Sequence, residues 1–108
     1  MKDDTIYIDH ILSCIDRILT YISGKDRNSF EEDMKTQDAV VRQLEVVGEA
    51  TKRISKAYRE KHPDVPWADI AGMRDVLIHD YIDVDFDVVW KTASEDIPKL
   101  KQLILSIL

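Results

Sequence analysis

Five isoleucines set the first constraint on the fold. Ile8, Ile11, Ile15, Ile18 and Ile22 repeat at spacings of three and four, with Leu12 and Leu19 beside them. A period near 3.6 puts these side chains on one broad face of an amphipathic helix, whereas a strand requires alternation. The spacing predicts a helix from about Thr5 to Tyr21, with Gly24 suited to its C-terminal cap. Ser29-Phe30-Glu31-Glu32 has capping-box spacing and predicts a short second helix beginning at Ser29. Thr36, with Asp38 in the first turn, starts a third helix whose apolar stripe is Val40, Leu44, Val47, Ala50, Ile54 and Ala57. The run from His62 to Pro66 ends it. Pro66 suits an early helical position, so a fourth helix is expected from Trp67 to about Asp80, with Ile70, Met73 and Leu77 inward. After a break at Asp83, Val84 and Asp85, with Asp85 as cap, the last segment carries Phe86, Val89, Ala93, Ile97, Leu100, Ile104 and Ile107 at helical spacing. Pro98 falls inside that segment, and a kink or break is expected within a turn of it.

Short connections between these segments imply an all-α chain, residues 1–108 forming one domain: an antiparallel four-helix bundle with one additional short helix. Only 3 Gly and 3 Pro interrupt it. No strand alternation is long enough to count against helices. At 108 residues a domain buries only about two-thirds of the surface its unfolded chain exposes, so self-association is a natural way to bury more. The apolar C-terminal residues are candidates to cover a dimer partner. Cys14 is the only cysteine, which excludes an internal disulfide and leaves no sign of a secreted, cross-linked scaffold. No apolar run approaches the roughly 20 residues that span a bilayer, and the N-terminus lacks the core of a signal peptide. A cytoplasmic protein with no membrane partner is the expectation.

The net charge of -6 argues against a general electrostatic grip on nucleic acid. Positive charge is nevertheless concentrated. Residues 41–62 hold 6 basic and 3 acidic side chains, while the segments on either side are acidic. Arg42, Glu49, Arg53 and Lys56 fall in one sector of the third helix, flanked by Lys52 and Arg59. Either this is a solvated face or it is a local anion-binding wall. Several chemistries fail on spacing. None of His10, His62 or His79 follows a glutamate at the interval of a di-iron bundle site, and no zinc-protease motif or glycine-rich phosphate loop is present. A structural or solvent role is expected for His10 and His62, and a buried, inert thiol for Cys14.

One constellation remains, in residues 74–81. It sets Arg74, a histidine able to titrate near neutrality (His79) and a phenol (Tyr81) at the end of a helix. On a continuous helix Arg74 and Tyr81 nearly align, while Arg74 and His79 lie about 140° apart and border a groove. A symmetric dimer would bring two such helices into one cleft. By residue type alone, Arg74 pairs with nearby aspartates, His79 caps the helix and Tyr81 is half-buried.

The spacing Arg74-x4-His79-x-Tyr81 resembles the motif of the HEPN superfamily, and the surrounding chain resembles its HepT branch, the toxin half of HEPN/MNT toxin-antitoxin pairs. The likeness extends through Asp38-Ala39-Val40 with Arg42, Leu44-Glu45, Gly48-Glu49-Ala50, Val65-Pro66-Trp67, Ile70 to Arg74, Val89-Trp90 and Ile97 to Leu100. Asp75 departs from the pattern: many members carry Asn after the arginine, and here a negative charge stands beside the proposed anion site. The resemblance implies a HEPN-like bundle acting as a homodimer and cleaving RNA without a metal or cofactor. It implies His79 for proton transfer, Arg74 for the phosphate charge, and Tyr81 for orientation. Tyr81 is also the implied position at which a nucleotidyltransferase antitoxin of the MNT type attaches AMP. Arg42, Glu49 and Arg53 are candidates for the rim of the cleft. The alternative is a catalytically inert HEPN dimer that uses the same groove to bind a nucleotide or the nucleotidyltransferase. A purely structural dimerisation domain would leave the Arg74 to Tyr81 grouping without a purpose.

Overall fold

The isoleucine stripe becomes the centre of the molecule, with Ile8, Ile11, Ile15 and Ile18 all fully buried on α1, Asp4–Ile22. The computed structural model describes residues 3–80 and 83–108, and the backbone alone at residues 78–80 and 83. Asp3 caps α1 by accepting the Thr5 amide at 2.9 Å. Beyond its end Gly24 takes a φ of 76°, the left-handed conformation expected of a residue closing a helix there.

Two helix starts fall about one turn earlier than the sequence suggests. Helix α2, Arg27–Glu32, is capped by Asp26, and Ser29 is its third residue; the Asp26 carboxylate accepts the Ser29 amide while the Ser29 hydroxyl accepts the Asp26 amide. Helix α3, Met34–Lys52, is capped by Asp33, whose carboxylate accepts both the amide and the hydroxyl of Thr36. A carboxylate outcompetes a hydroxyl at such a position because it answers the helix dipole as well as the free amides. Gln37, buried against α2, donates to the carbonyls of Phe30 and Glu31 and so satisfies the end of that helix.

The long third helix expected from the sequence is divided. Chain direction changes at Ile54, and Ser55 starts α4, Lys56–Lys61, by accepting the Tyr58 amide. Ala57 is exposed on this short helix and does not continue the buried stripe. Asp4 accepts the backbone amide and hydroxyl of Ser55, each at 2.7 Å, which ties the start of α1 to the residues just beyond α3 and makes the two long helices antiparallel.

Helices α5, Trp67–Ala71, and α6, Met73–Leu77, occupy the place of the expected fourth helix, with Gly72 between them. The helix does not reach Asp80. Residues Ile78–Asp80 form β1, which pairs antiparallel with β2, Asp83–Val84, and the Asp85 amide donates to the Leu77 carbonyl. A five-residue helix has little cooperative stability, and the β-branched Ile78 and Val84 favour extended backbone. Asp85 then caps α7, Phe86–Lys91, as expected. A π-helical turn, Thr92–Asp96, joins α7 to α8, Ile97–Ser106, with Pro98 in the first turn of α8. Proline has no amide to donate and its ring crowds the carbonyl four residues back, so the wider turn just before it absorbs the misfit.

The result is an all-α four-helix bundle of α1, α3, α5–α6 and α7–α8, with α2 and α4 as short side helices. One apolar cluster joins all four layers through Phe30, Leu44, Leu77, Val89, Ile97 and Ile104, with the α1 isoleucines at its middle. Phe30 stacks on Trp90 at 5.2 Å between ring centres, and an Arg27–Asp87 ion pair lies beside them. No described helix is long and apolar enough to cross a membrane.

Candidate functional site

Gly48 determines how closely the site is assembled. A Cβ at this position would lie 3.3 Å from the Ile70 carbonyl oxygen, so glycine lets α3 approach α5 closely. That approach carries α6 against α3 and brings Arg74 to Glu45, with Nε 3.4 Å from a carboxylate oxygen. Arg74 is half-exposed, and Glu45 is more buried.

Around this pair is a cleft of about 420 Å³ lined by Tyr7, His10, Arg42, Glu45, Val46, Glu49, Ala50, Arg53 and Arg74. Three arginines face two glutamates. Among the described residues Arg42 and Arg53 enter no ion pair, while Glu49 lies 3.3 Å from Lys52. The cleft is thus a cationic spot on an acidic protein. Arg42, Glu49 and Arg53, read from the sequence as a rim, do share it with Arg74.

Other members of the basic stripe go elsewhere. Lys56 leans toward Glu60 along α4, and Arg59 donates to the Thr51 carbonyl at 2.8 Å, closing the end of α3. Asp75 is exposed and does not line the cleft, so the negative charge beside Arg74 comes from Glu45. Because α6 ends at Leu77, helical angles no longer relate Arg74 to His79 or Tyr81. The side chain of His79, on β1, and the whole of Tyr81 lie outside the described residues.

His62 packs against Tyr58 at 4.7 Å between ring centres, and its carbonyl accepts the Trp67 indole N–H. That is a structural role. Burial pushes the Cys14 thiol above its ordinary pKa, against the opposing pull of Arg17 and Arg42, which keeps the thiol protonated. His10, expected to serve structure or solvent, is exposed and lines the cleft, as does Tyr7. Their three-residue spacing on α1 was visible; which neighbour that face would meet depended on how α1 docks on α3. Among the described residues, no three His, Cys, Asp or Glu side chains cluster as a metal site would require.

The family model described as Ribonuclease HepT-like matches residues 11–107. The chain belongs to the HepT-like family. A "Probable ribonuclease HepT" of Thermococcus cleftensis is 45% identical over 95 residues, covering 88% of this chain and 86% of its own. A protein of Caldanaerobacter subterraneus named "Putative RNase" is 41% identical over 108 residues, covering 100% of this chain and 96% of its own. A Methanocaldococcus jannaschii protein, "Gamma-glutamylcyclotransferase and putative RNase", is 43% identical over 107 residues, which are 99% of this chain but 48% of that one. No solved structure matches at a significant level. Within the HepT-like chain, then, Arg74 sits in a cleft that also gathers Arg42 and Arg53.

Proposed function

We propose that this HepT-like protein is the toxin of a type II HEPN/MNT toxin-antitoxin pair: a cytoplasmic, metal-independent endoribonuclease, residues 1–108 forming one domain that acts as a homodimer. The observation that carries the reading is the placement of Arg74, the motif arginine, half-exposed in a cleft with Arg42 and Arg53.

RNA supplies its own nucleophile. The 2′-oxygen forms a bond to phosphorus, the bond from phosphorus to the 5′-oxygen breaks, and a cyclic phosphate and a 5′-hydroxyl result. A protein needs only to move two protons and hold the extra charge of the pentacovalent intermediate. In the proposed mechanism His79 accepts or returns a proton, a contribution typically worth about 10²- to 10⁴-fold. Arg74 offers paired N–H donors to the phosphate oxygens as their charge develops. Tyr81 orients the phosphate or the imidazole. A nucleotidyltransferase antitoxin that attaches AMP to Tyr81 would add bulk and negative charge where RNA must enter. Val76, two residues beyond Arg74, is 61% exposed and apolar, and is the surface proposed for the second copy.

The test is expression without a partner. Growth should stop, and the arrest should be lost in Arg74→Ala and His79→Ala. Purified protein should cut RNA in excess chelator. Co-expression with an adjacent nucleotidyltransferase should add the mass of AMP, and Tyr81→Phe should remove that addition. Arrest unchanged in Arg74→Ala and His79→Ala would sink the assignment.

The Glu45–Arg74 contact favours a second reading, an inert dimer that binds a nucleotide or the nucleotidyltransferase, since a carboxylate already occupies part of the arginine. Tight partner binding with no cleavage of any RNA tested would select it.

A further inference from the structure

The motif explains one wall of the cleft and leaves the other two without a role. Along α3 the lining side chains follow an order: Arg42 at one end, then Glu45 and Val46, then Glu49 and Ala50, then Arg53 at the other. Arg42 and Arg53 are eleven residues apart, which returns a helix nearly to the same side and separates them by about 16 Å along the axis. Cations therefore stand at both ends, with carboxylates and apolar carbons between. A continuous ribbon of phosphates would meet the two glutamates. Facing this middle from α1 are Tyr7 and His10.

We infer that this part of the cleft is a subsite for a short unpaired stretch of single-stranded RNA, two or three nucleotides long, with a base on Tyr7 and the phosphates at either end of the stretch on Arg42 and Arg53. The inference rests on the ribonuclease reading for the identity of the ligand. A ring such as that of Tyr7 gives a base a stacking surface, and Val46 and Ala50 provide an apolar floor. Carboxylates beside that floor suit the amino groups of base edges, as they do for cytosine elsewhere. The imidazole of His10 reaches the same space and supplies a further hydrogen-bonding group. The 420 Å³ volume lies within the range that ligand pockets occupy. A duplex cannot use the site, because its bases are stacked inside and only its phosphates are offered.

Tyr7 and His10 are thus positioned for binding and do not enter the chemical step. The experiment measures binding and cleavage separately, on the full chain. A fluorescent oligoribonucleotide with every 2′-oxygen methylated cannot be cut by its own hydroxyl, and its anisotropy reports affinity alone. The single strand should bind at least tenfold more tightly than the same sequence in a duplex. Arg42→Ala with Arg53→Ala should weaken single-strand binding at least tenfold and flatten the salt dependence by about 1.4 in log–log slope, some 0.7 for each phosphate no longer neutralised. Tyr7→Leu should weaken it about tenfold, and Tyr7→Phe, which keeps the ring, should restore it. In cleavage assays these losses should raise KM and spare kcat. Equal affinity for duplex and single strand, or a double arginine variant with unchanged affinity and slope, would overturn the subsite. If the ribonuclease reading alone is wrong, the methylated strand still binds and unmodified RNA stays intact. If the subsite alone is wrong, RNA is cut with the same KM in the arginine variants.

Discussion

Arg74 carries its charge on a half-exposed side chain beside the carboxylate of Glu45. In the proposed reaction its value lies in a planar fork that can hold two phosphate oxygens, which lysine lacks. Arg74→Lys should therefore lower kcat about 10²-fold or more, nearly as far as Arg74→Ala, in a single-turnover cleavage assay. A lysine variant with near-normal kcat would reduce the arginine to a source of charge. Asp33 shows the same dependence on local partners in a structural role. The Lys25 ammonium, 2.8 Å away, and then the amide and hydroxyl of Thr36 hold its carboxyl well below the usual carboxylate range. Since the folded-state pKa is depressed, the stabilisation is present above the ordinary value of about 4 and is lost as pH falls through the lower folded value. Asp33→Ala should lower Tm by roughly 4–8 °C at neutral pH, with the difference shrinking below pH 4 in a series of thermal melts. A difference that stays constant to pH 2 would show that the charge is not what matters. Thr36 looked like the cap because it too can accept an amide, and only the fold shows that Asp33 takes that place.

At the scale of elements, periodicity carried most of the fold, and it failed where a helix was short. Ile54 and Ala57 keep the apolar spacing of α3, so nothing in that pattern marks the turn before α4, which Ser55 caps. Strands of two and three residues are too short to show alternation, which left β1 and β2 inside a predicted helix and a break. Pro98 did signal an interruption, and the π-helical turn falls on the residues just before it. The site divides in the same way. The places of Arg42, Glu49 and Arg53 in the cleft followed from their spacing along α3, whereas the contribution of Tyr7 and His10 required the docking of α1 on α3. Gly48 sets the other docking distance. Gly48→Ala places a methyl 3.3 Å from a carbonyl oxygen, a misfit of a few tenths of an ångström that the higher helix propensity of alanine, about 1 kcal/mol, can offset. Gly48→Val has no such compensation and should cost about 1–3 kcal/mol by overpacking, measured by urea unfolding. It should also reduce cleavage further than stability alone explains, because α6 and Arg74 move with α5. A Gly48→Val protein of unchanged stability would mean that the two helices can separate freely.

Taken whole, the bundle is a flattened body with extents of 41 × 29 × 22 Å and one apolar cluster, so its stability depends on few side chains. Ile15, fully buried at the middle of that cluster, should lose about 2–5 kcal/mol on truncation to alanine, a large part of the roughly 5–15 kcal/mol that holds a domain folded. Apolar surface remains after the core is filled. Between α5–α6 and α8 lies a groove of about 580 Å³ whose lining includes Pro66, Met73, Val76, Leu100 and Leu103. Val76 stands in it only two residues from Arg74, so a second copy seated there would cover apolar carbons and bring two motifs together in one step. Light scattering of the intact protein should then report the mass of two chains. Val76→Glu adds a charge that is harmless in a single chain, where an exposed position tolerates substitution within about 0.5 kcal/mol, but costly when buried between two. The variant should elute as one chain with its helical circular dichroism retained, and should lose RNA cleavage although every motif residue is intact. Cleavage by a stable monomer would separate catalysis from assembly, and a Val76→Glu protein that remains dimeric would place the partner on another face.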